Sequence, residues 1–267
     1  MNTPRVSIAM GVYRPRRDYL LDSVESIIAQ TFEDWELIIC NDGSADGATE
    51  DLLNEVVSLD SRVKIVGYPQ NKGLAFALNT CIRNARGEYI ARQDDDDRSV
   101  PKRLQEQVRY LDGHPGCSFV GSEASVFDAE GQWGHYDLET DPVAETFLWN
   151  SPFIHPTVVF RRDILDAAKG YRVAPETERV EDYDLFMRLV AMGYTGHNIK
   201  DDLYEYRIDR NLEKYRPLAT RINEACVRAR GFKALGLGMK SFPYIAKPVV
   251  LGLIPGKLMG AIRRTRY

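Results

Sequence analysis

Clustered cysteines, the glycine signatures of the common nucleotide folds and an unbroken apolar span are all missing from this 267-residue chain. Its four cysteines, Cys40, Cys81, Cys117 and Cys226, stand far apart and make no CxxC pair, which excludes a zinc knuckle and a dithiol redox motif. So few thiols in a chain this long fit a reducing compartment rather than a disulfide scaffold. Gly43, Gly73 and Gly87 build no GxGxxG, and no GxxxxGK(S/T) occurs, so the phosphate cradles of nicotinamide-cofactor and P-loop proteins are absent. No GxSxG is present either, which leaves a serine hydrolase unsupported. The opening Met-Asn-Thr-Pro-Arg-Val lacks a basic-then-apolar leader, so a cytoplasmic location is expected.

What is present is the balance of a soluble chain with a sizeable core, 44% hydrophobic and 28% charged. This balance excludes wholesale disorder, a collagenous chain and a polytopic membrane protein. The net charge of −4 conceals an asymmetry. Met1 to Glu205 carries 21 Lys+Arg against 36 Asp+Glu, or −15, whereas Tyr206 to Tyr267 carries 14 against 3, or +11. An acidic body argues against a nucleic-acid partner, and a basic tail points toward an anionic surface.

Along the chain, apolar runs and polar turns alternate. Strands are expected at Val6–Val12, Trp35–Cys40, Val63–Val66 and Glu88–Gln93, and helices at Asp18–Gln30, up to about Leu59, and over Leu74–Asn84 with Gly87 as its C′ stop. Pro101 opens a further helix as a first-turn residue. This alternation predicts an α/β fold, a doubly wound, mostly parallel sheet with helices on both faces. The second half is more mixed, with strands at Ser118–Phe127, Thr157–Phe160 and Leu203–Ile208 and a helix at Glu181–Met192 closed by Gly193. No internal repeat or low-complexity linker divides the chain. The expected organisation is one domain over 1–210, its first half running to about 97, with a basic helical appendage over 211–267.

In open sheets of this kind, ligands bind beyond the carboxyl ends of the strands. Asp42 and the run Asp94-Asp95-Asp96-Asp97 both fall at that edge. Four carboxylates ending a buried strand repel one another unless they are solvated or hold a cation. A solvated acidic turn is the plain alternative. A divalent ion with oxygen ligands, Mg²⁺ or Mn²⁺, shared with a diphosphate fits the position better. Glu181-Asp182 opens a helix whose apolar face carries Leu185, Phe186, Leu189 and Val190, where acids cap the positive helix end. A carboxylate held there can also serve as a general base. His155 precedes a strand, and a lone histidine is more often a structural hydrogen-bonder than a catalyst.

These segments, in this order, resemble the family 2 glycosyltransferases of the GT-A fold, of the bacterial glycan-assembly type. VSIAMGVYRP is similar to the family's first strand, and Val12 and Tyr13 would line the nucleotide. WELIICNDGSADG resembles the second strand, with Asp42 as the base-contacting aspartate. NKGLAFALNTCIRNARGEYIARQDDDD leads to the DxD motif, with Asp94 and Asp96 in the motif positions and Arg92 and Asp95 beside them on the donor. HPTVVFRRD and EDYDLFMRL resemble the acceptor-side and ED segments. They place the catalytic base on Asp182, with Glu181 and His155 on the acceptor side. The likeness runs from about Val6 to Arg207 and departs at two points. Leu78 stands where many relatives carry arginine, and Tyr206-Arg207-Ile208-Asp209 ends in aspartate where they often carry histidine, leaving Asp209 as a weak metal candidate.

The resemblance implies an inverting transfer from a nucleotide-diphosphate sugar, UDP-linked by preference over dTDP or GDP, to a glycan hydroxyl. Mn²⁺ or Mg²⁺ would be held through Asp96, with Asp94 as metal ligand or donor contact. Pro243–Ile262 has the length of a spanning helix, but two lysines and three prolines interrupt it. With Arg263-Arg264-Thr265-Arg266 behind it, it reads as an interfacial segment on an anionic membrane, against packing on the body or a partner subunit. A lipid-linked acceptor and a peripheral position on the cytoplasmic face of the membrane follow as expectations. The rival readings are a nucleotide-sugar-binding or partner-activating module without catalysis, and a nucleotidyltransferase, whose glycine-rich N-terminal signature is missing after Val6–Val12.

Overall fold

The structure, a computed structural model, describes residues 3–210 and 217–252. The first half lays down four parallel strands. β1 (Val6–Val12) and β2 (Trp35–Asp42) pair with Val6 opposite Trp35 and Val12 opposite Asn41, bridged by α1 (Arg17–Ile28). α2 (Gly47–Leu59) is capped by Asp46, which accepts from the Thr49 amide at 2.9 Å, and leads to β3 (Val63–Tyr68) beside β2. α3 (Leu74–Asn84) returns the chain to β4 (Tyr89–Arg92) on the far side of β1.

Side chains of β1 and β2 alternate between two cores, because successive residues of a strand face opposite sides. Ile8, Met10, Leu37 and Ile39 pack with Leu20, Val24 and Ile27 of α1 and with Leu52, Leu53 and Val56 of α2. Ala9, Ile38 and Cys40 pack on the other side with Ala77, Leu78, Cys81 and Ile82 of α3. Strands apolar on both faces and helices apolar on one are what this layering requires.

The second half is mixed. After the two-residue β5 (Arg98–Ser99), α4 (Arg103–Gly113) leads to the long β6 (Phe119–Asp128) and the hairpin strand β7 (Gly131–Tyr136). β8 (Val159–Arg161), α5 (Arg162–Ala167), α6 (Glu181–Ala191) and β9 (Gly196–Arg207) complete the body. The strand order is β3-β2-β1-β4-β8-β6-β9-β5, with β7 off β6. β8 runs antiparallel to both β4 and β6, β9 parallel to β6, and β5 antiparallel to β9. α7 (Leu218–Ala234) packs on α6, and α8 (Phe242–Gly252) packs along α7.

Three local expectations change. Gly87 is no C′ residue: α3 ends through Ala85 in an extended conformation, and a Cβ at Gly87 would lie 2.5 Å from the Ser7 amide nitrogen. That glycine serves the close approach of β4 to β1. The last strand starts at Gly196, seven residues before Leu203, with the polar stretch His197 to Asp202 paired along β6. β7 escapes notice because two of its six residues are glycine. Of the segment Pro243–Ile262, residues from 253 onward lie outside the described ones, as does Arg263–Arg266; up to Gly252 it is helical, with Pro248 inside the helix.

Candidate active site

Asp42 ends β2 at the ligand edge, and its carboxylate is fully engaged. It accepts from the Tyr68 hydroxyl at 2.6 Å, Asn71 Nδ2 at 2.9 Å and the backbone amides of Lys72 and Gly73 at 2.8 and 2.9 Å. The loop after β3 is thereby strapped across the end of β2. Gly43 makes this possible, since at φ +75 its backbone lies where a Cβ would meet the Gln70–Asn71 peptide at 2.2 Å. Val12 is buried at the end of β1, and Tyr13 beside it is exposed, with the Arg14 guanidinium 5.3 Å from its ring centre. Val12 pairs with Asn41, so both stand at the strand end next to Asp42.

The acidic run rises from a buried network. Arg92 closes β4 entirely out of solvent, and one guanidinium nitrogen reaches Asp94 Oδ1 at 2.5 Å. Gln93 Nε2 donates to Ser23 Oγ at 2.9 Å, and Ser23 Oγ donates to the Asp94 carbonyl at 2.7 Å, pinning the run to α1. From the other side Arg207, at the end of β9, gives its amide to Asp97 Oδ1 and its Nε to the Asp96 carbonyl, both at 2.6 Å. Burial, and then the charges of Asp96 and Asp94, push Asp95 up to about 7. Burial and the same kind of repulsion, from Asp94 and Asp96, lift Asp97 well above the usual carboxylate range. Asp97 Oδ2 is buried without a hydrogen-bond partner.

Mutually repelling carboxylates, with one buried oxygen left unpaired on Asp97, are what a hard divalent cation relieves, and an all-oxygen donor set suits Mg²⁺ or Mn²⁺. The acidic run therefore fits the ion that the sequence leads one to expect, with Asp94 and Asp96 as its first candidates. Asp209 lies just past β9 and is exposed. Its neighbours are tied elsewhere: the Ile208 amide donates to the Phe127 carbonyl at 3.0 Å and Arg210 Nε to Asp128 at 2.7 Å. A separate group, Glu123, His135 and Asp202, brings its donor atoms within 4.8 Å of one another. There the Lys200 ammonium already pairs with Glu123, which puts a cation in place without a metal.

The ED pair converges on the same region. Asp182, half-buried, and Glu181, 9% exposed, begin α6. Burial, and then the neighbouring Asp182 charge, push Glu181 up to about 7. The buried Tyr171 feels the charges of Arg92, Asp182, Glu181 and Asp94, and burial pushes its hydroxyl well above its ordinary pKa. Its backbone is held by α3: Asn79 Nδ2 donates to the Tyr171 carbonyl and Asn79 Oδ1 accepts from its amide, both at 2.8 Å. His155 Nε2 lies 2.7 Å from the Tyr171 hydroxyl, and burial, aided by Arg92, keeps the imidazole well below its ordinary pKa and hence neutral. His155 is a hydrogen-bonder within this cluster. Asp184, also on α6, is bound by Arg188, Arg230 and Arg172 and belongs to the scaffold.

Sequence reasoning missed Arg103, Tyr171 and Arg207 as site builders. Arg103 is fully buried and gives Nη2 to the carbonyls of Arg92 at 2.7 Å and Pro156 at 2.9 Å, clamping the strand before the acidic run to the turn after His155. Its signal was readable: it lies with Leu104, Gln107, Val108 and Leu111 on the inward face of α4. Tyr171 had no such signal, because its place depends on a loop meeting α3.

Comparison with known proteins bears on the family and the fold. Residues 7–169 match the profile of Glycosyl transferase family 2. EpsE of Bacillus subtilis (strain 168), named as a glycosyltransferase, is 36% identical over 263 residues, covering 98% of this chain and 94% of its own. The O-antigen biosynthesis glycosyltransferase WbnJ of Escherichia coli is 31% identical over 209 residues, covering 76% and 79%. Among solved structures, S. aureus TarS in complex with UDP-GlcNAc superposes with a TM-score of 0.69 at 15% identity, over 92% of this chain and 71% of that one. The mannosyltransferase PcManGT from Pyrobaculum calidifontis, in complex with GDP-Man and Mn²⁺, gives 0.61 at 19% identity, over 99% and 80%. At these identities the structural likeness establishes the GT-A fold, and the sequence matches establish the family: the chain belongs to glycosyltransferase family 2.

Proposed function

We propose that the chain moves a sugar from a nucleotide-diphosphate sugar, UDP-linked by preference, to a hydroxyl of a lipid-linked glycan acceptor, inverting the anomeric centre, in cell-surface polysaccharide assembly. The observation that carries this reading is the buried Arg92 paired with Asp94 at 2.5 Å, with the charges of Asp94, Glu181 and Asp182 all acting on Tyr171. Support for the donor comes from the complexes of UDP-GlcNAc with TarS and of GDP-Man with PcManGT, and for the pathway from the O-antigen role in WbnJ's name.

Asp182 takes the proton of the acceptor hydroxyl as that oxygen forms its bond to the anomeric carbon. The bond from that carbon to the diphosphate oxygen breaks with its electron pair, and one displacement inverts the configuration. Mn²⁺ or Mg²⁺ held through Asp96 and Asp94 would supply Lewis-acid charge to the departing diphosphate. Arg92 positions Asp94, Arg207 fixes the backbone of Asp96, and the strap held by Asp42 walls the nucleotide end. The basic C-terminal segment would hold the enzyme on the anionic face of the membrane, where a lipid-linked acceptor is presented.

Titrating a panel of UDP-, dTDP- and GDP-sugars with Mn²⁺, alongside transfer assays, tests the donor class. Binding without any turnover would favour the non-catalytic module instead. Asp182→Asn is expected to abolish transfer, by at least about 10²-fold, while donor affinity is kept. Comparable turnover in that variant would exclude Asp182 as the base.

A further inference from the structure

The two C-terminal helices expose the wrong residues for water. On α7 the exposed positions are Leu218, Ala219, Ile222, Cys226, Ala229, Lys233 and Ala234, a stripe at helical spacing whose only charge is Lys233 near the end. On α8 they are Phe242, Pro243, Ala246 and Val250, again one stripe and wholly apolar. Met239, in the turn between the helices, is 85% exposed, Phe242 66% and Val250 56%. Scattered exposed apolar residues are ordinary, but a face that is apolar at period 3.6 marks an element with a partner. Arg221 Nη1, in the first turn of α7, donates to the Pro248 carbonyl late in α8 at 3.4 Å, so the helices lie antiparallel and form one hairpin.

The rim carries the features of a lipid interface. Trp149 is 56% exposed beside Tyr244, with ring centres 6.1 Å apart, and Lys247 Nζ sits 3.7 Å from the Trp149 ring centre. Amphipathic aromatic rings and long-stemmed lysines are the residues that settle at the headgroup level. From 217 to 252 the chain holds six Lys+Arg against one Glu. Among the described residues no helix is long and apolar enough to cross a membrane.

We propose that the α7–α8 hairpin is the membrane-docking surface, lying in the plane of an anionic bilayer with Ile222, Met239, Phe242 and Val250 below the headgroups. The inference rests on the membrane reading above and assigns it to the hairpin itself. It also orients the enzyme. Arg228 of α7 donates to the Leu148 carbonyl at 3.0 Å, and Tyr183, next to Asp182, donates to the neighbouring Phe147 carbonyl. A docked hairpin therefore sets the base side of the site toward the lipid.

The test is flotation of the intact chain with vesicles of phosphatidylcholine alone or mixed with phosphatidylglycerol, comparing wild type with an Ile222→Glu/Phe242→Glu/Val250→Glu variant. Wild type is expected to float with the anionic vesicles and the variant to bind at least about tenfold less, while its transfer to a short soluble acceptor is unchanged. Equal flotation of the two would overturn the hairpin assignment and leave the membrane reading standing. Failure of wild type to float would overturn both. Unchanged flotation together with a wild-type dimer that the variant converts to monomer would assign the face to self-association instead.

Discussion

Glu181 shows how a single buried group writes itself into the pH dependence of the whole chain. Its carboxyl is raised to about 7 by burial and then by Asp182, so the folded chain holds this proton more tightly than the unfolded one. The stabilisation this gives is complete below the ordinary carboxylate range and is lost as the pH rises through about 7. Ionised Glu181 costs the fold at most about 3 kcal/mol at higher pH. Glu181→Gln should therefore gain thermal stability over wild type increasingly between about pH 5 and pH 8, read by calorimetry across that range; a constant difference would show that Glu181 is not the group responsible. Asp182 and the acidic run were visible in the sequence because each ends or starts an element in a recognisable order. The neutral state of His155 was not, since it depends on burial and on Arg92, far from it in the chain.

At the scale of elements, the candidate site joins a first half built by local rules to a second half built by long-range contacts. β1, β2, α2 and α3 are legible because alternating burial and caps are properties of short segments. Gly87 marks where that legibility ends: a glycine shortly after a helix reads as its stop, whereas here it admits β4 against Ser7 of β1. Gly87→Ala should strain the β1–β4 pairing and lower stability by about 1–3 kcal/mol, measurable by denaturant titration. An unchanged midpoint would mean that the strands separate at little cost. Because Arg92 closes β4, the same variant should also weaken donor binding. Arg103 works between elements in a similar way, joining the end of β4 to the turn at Pro156 through two carbonyls.

For the whole molecule, the division between an acidic body and a basic tail takes on a direction. The site's carboxylates belong to the −15 body, and the +11 remainder includes the hairpin that leans on α6. If that positive charge draws the enzyme to anionic lipid, vesicle binding should fall steeply as salt rises, since screening shortens the reach of charge from about 10 Å at 0.1 M to about 3 Å at 1 M. Salt-independent flotation would leave apolar burial as the sole source of attachment. By itself the sequence determined the layered α/β body, the family, the order of the motifs and the charge division, because periodicity, turn chemistry and composition are local or additive. Tertiary structure alone decided that Arg92 holds Asp94, that His155 meets Tyr171, that Asp42 straps a loop, and that α7 and α8 present their apolar faces outward. Burial and the approach of distant side chains are set by packing, and no single segment encodes them.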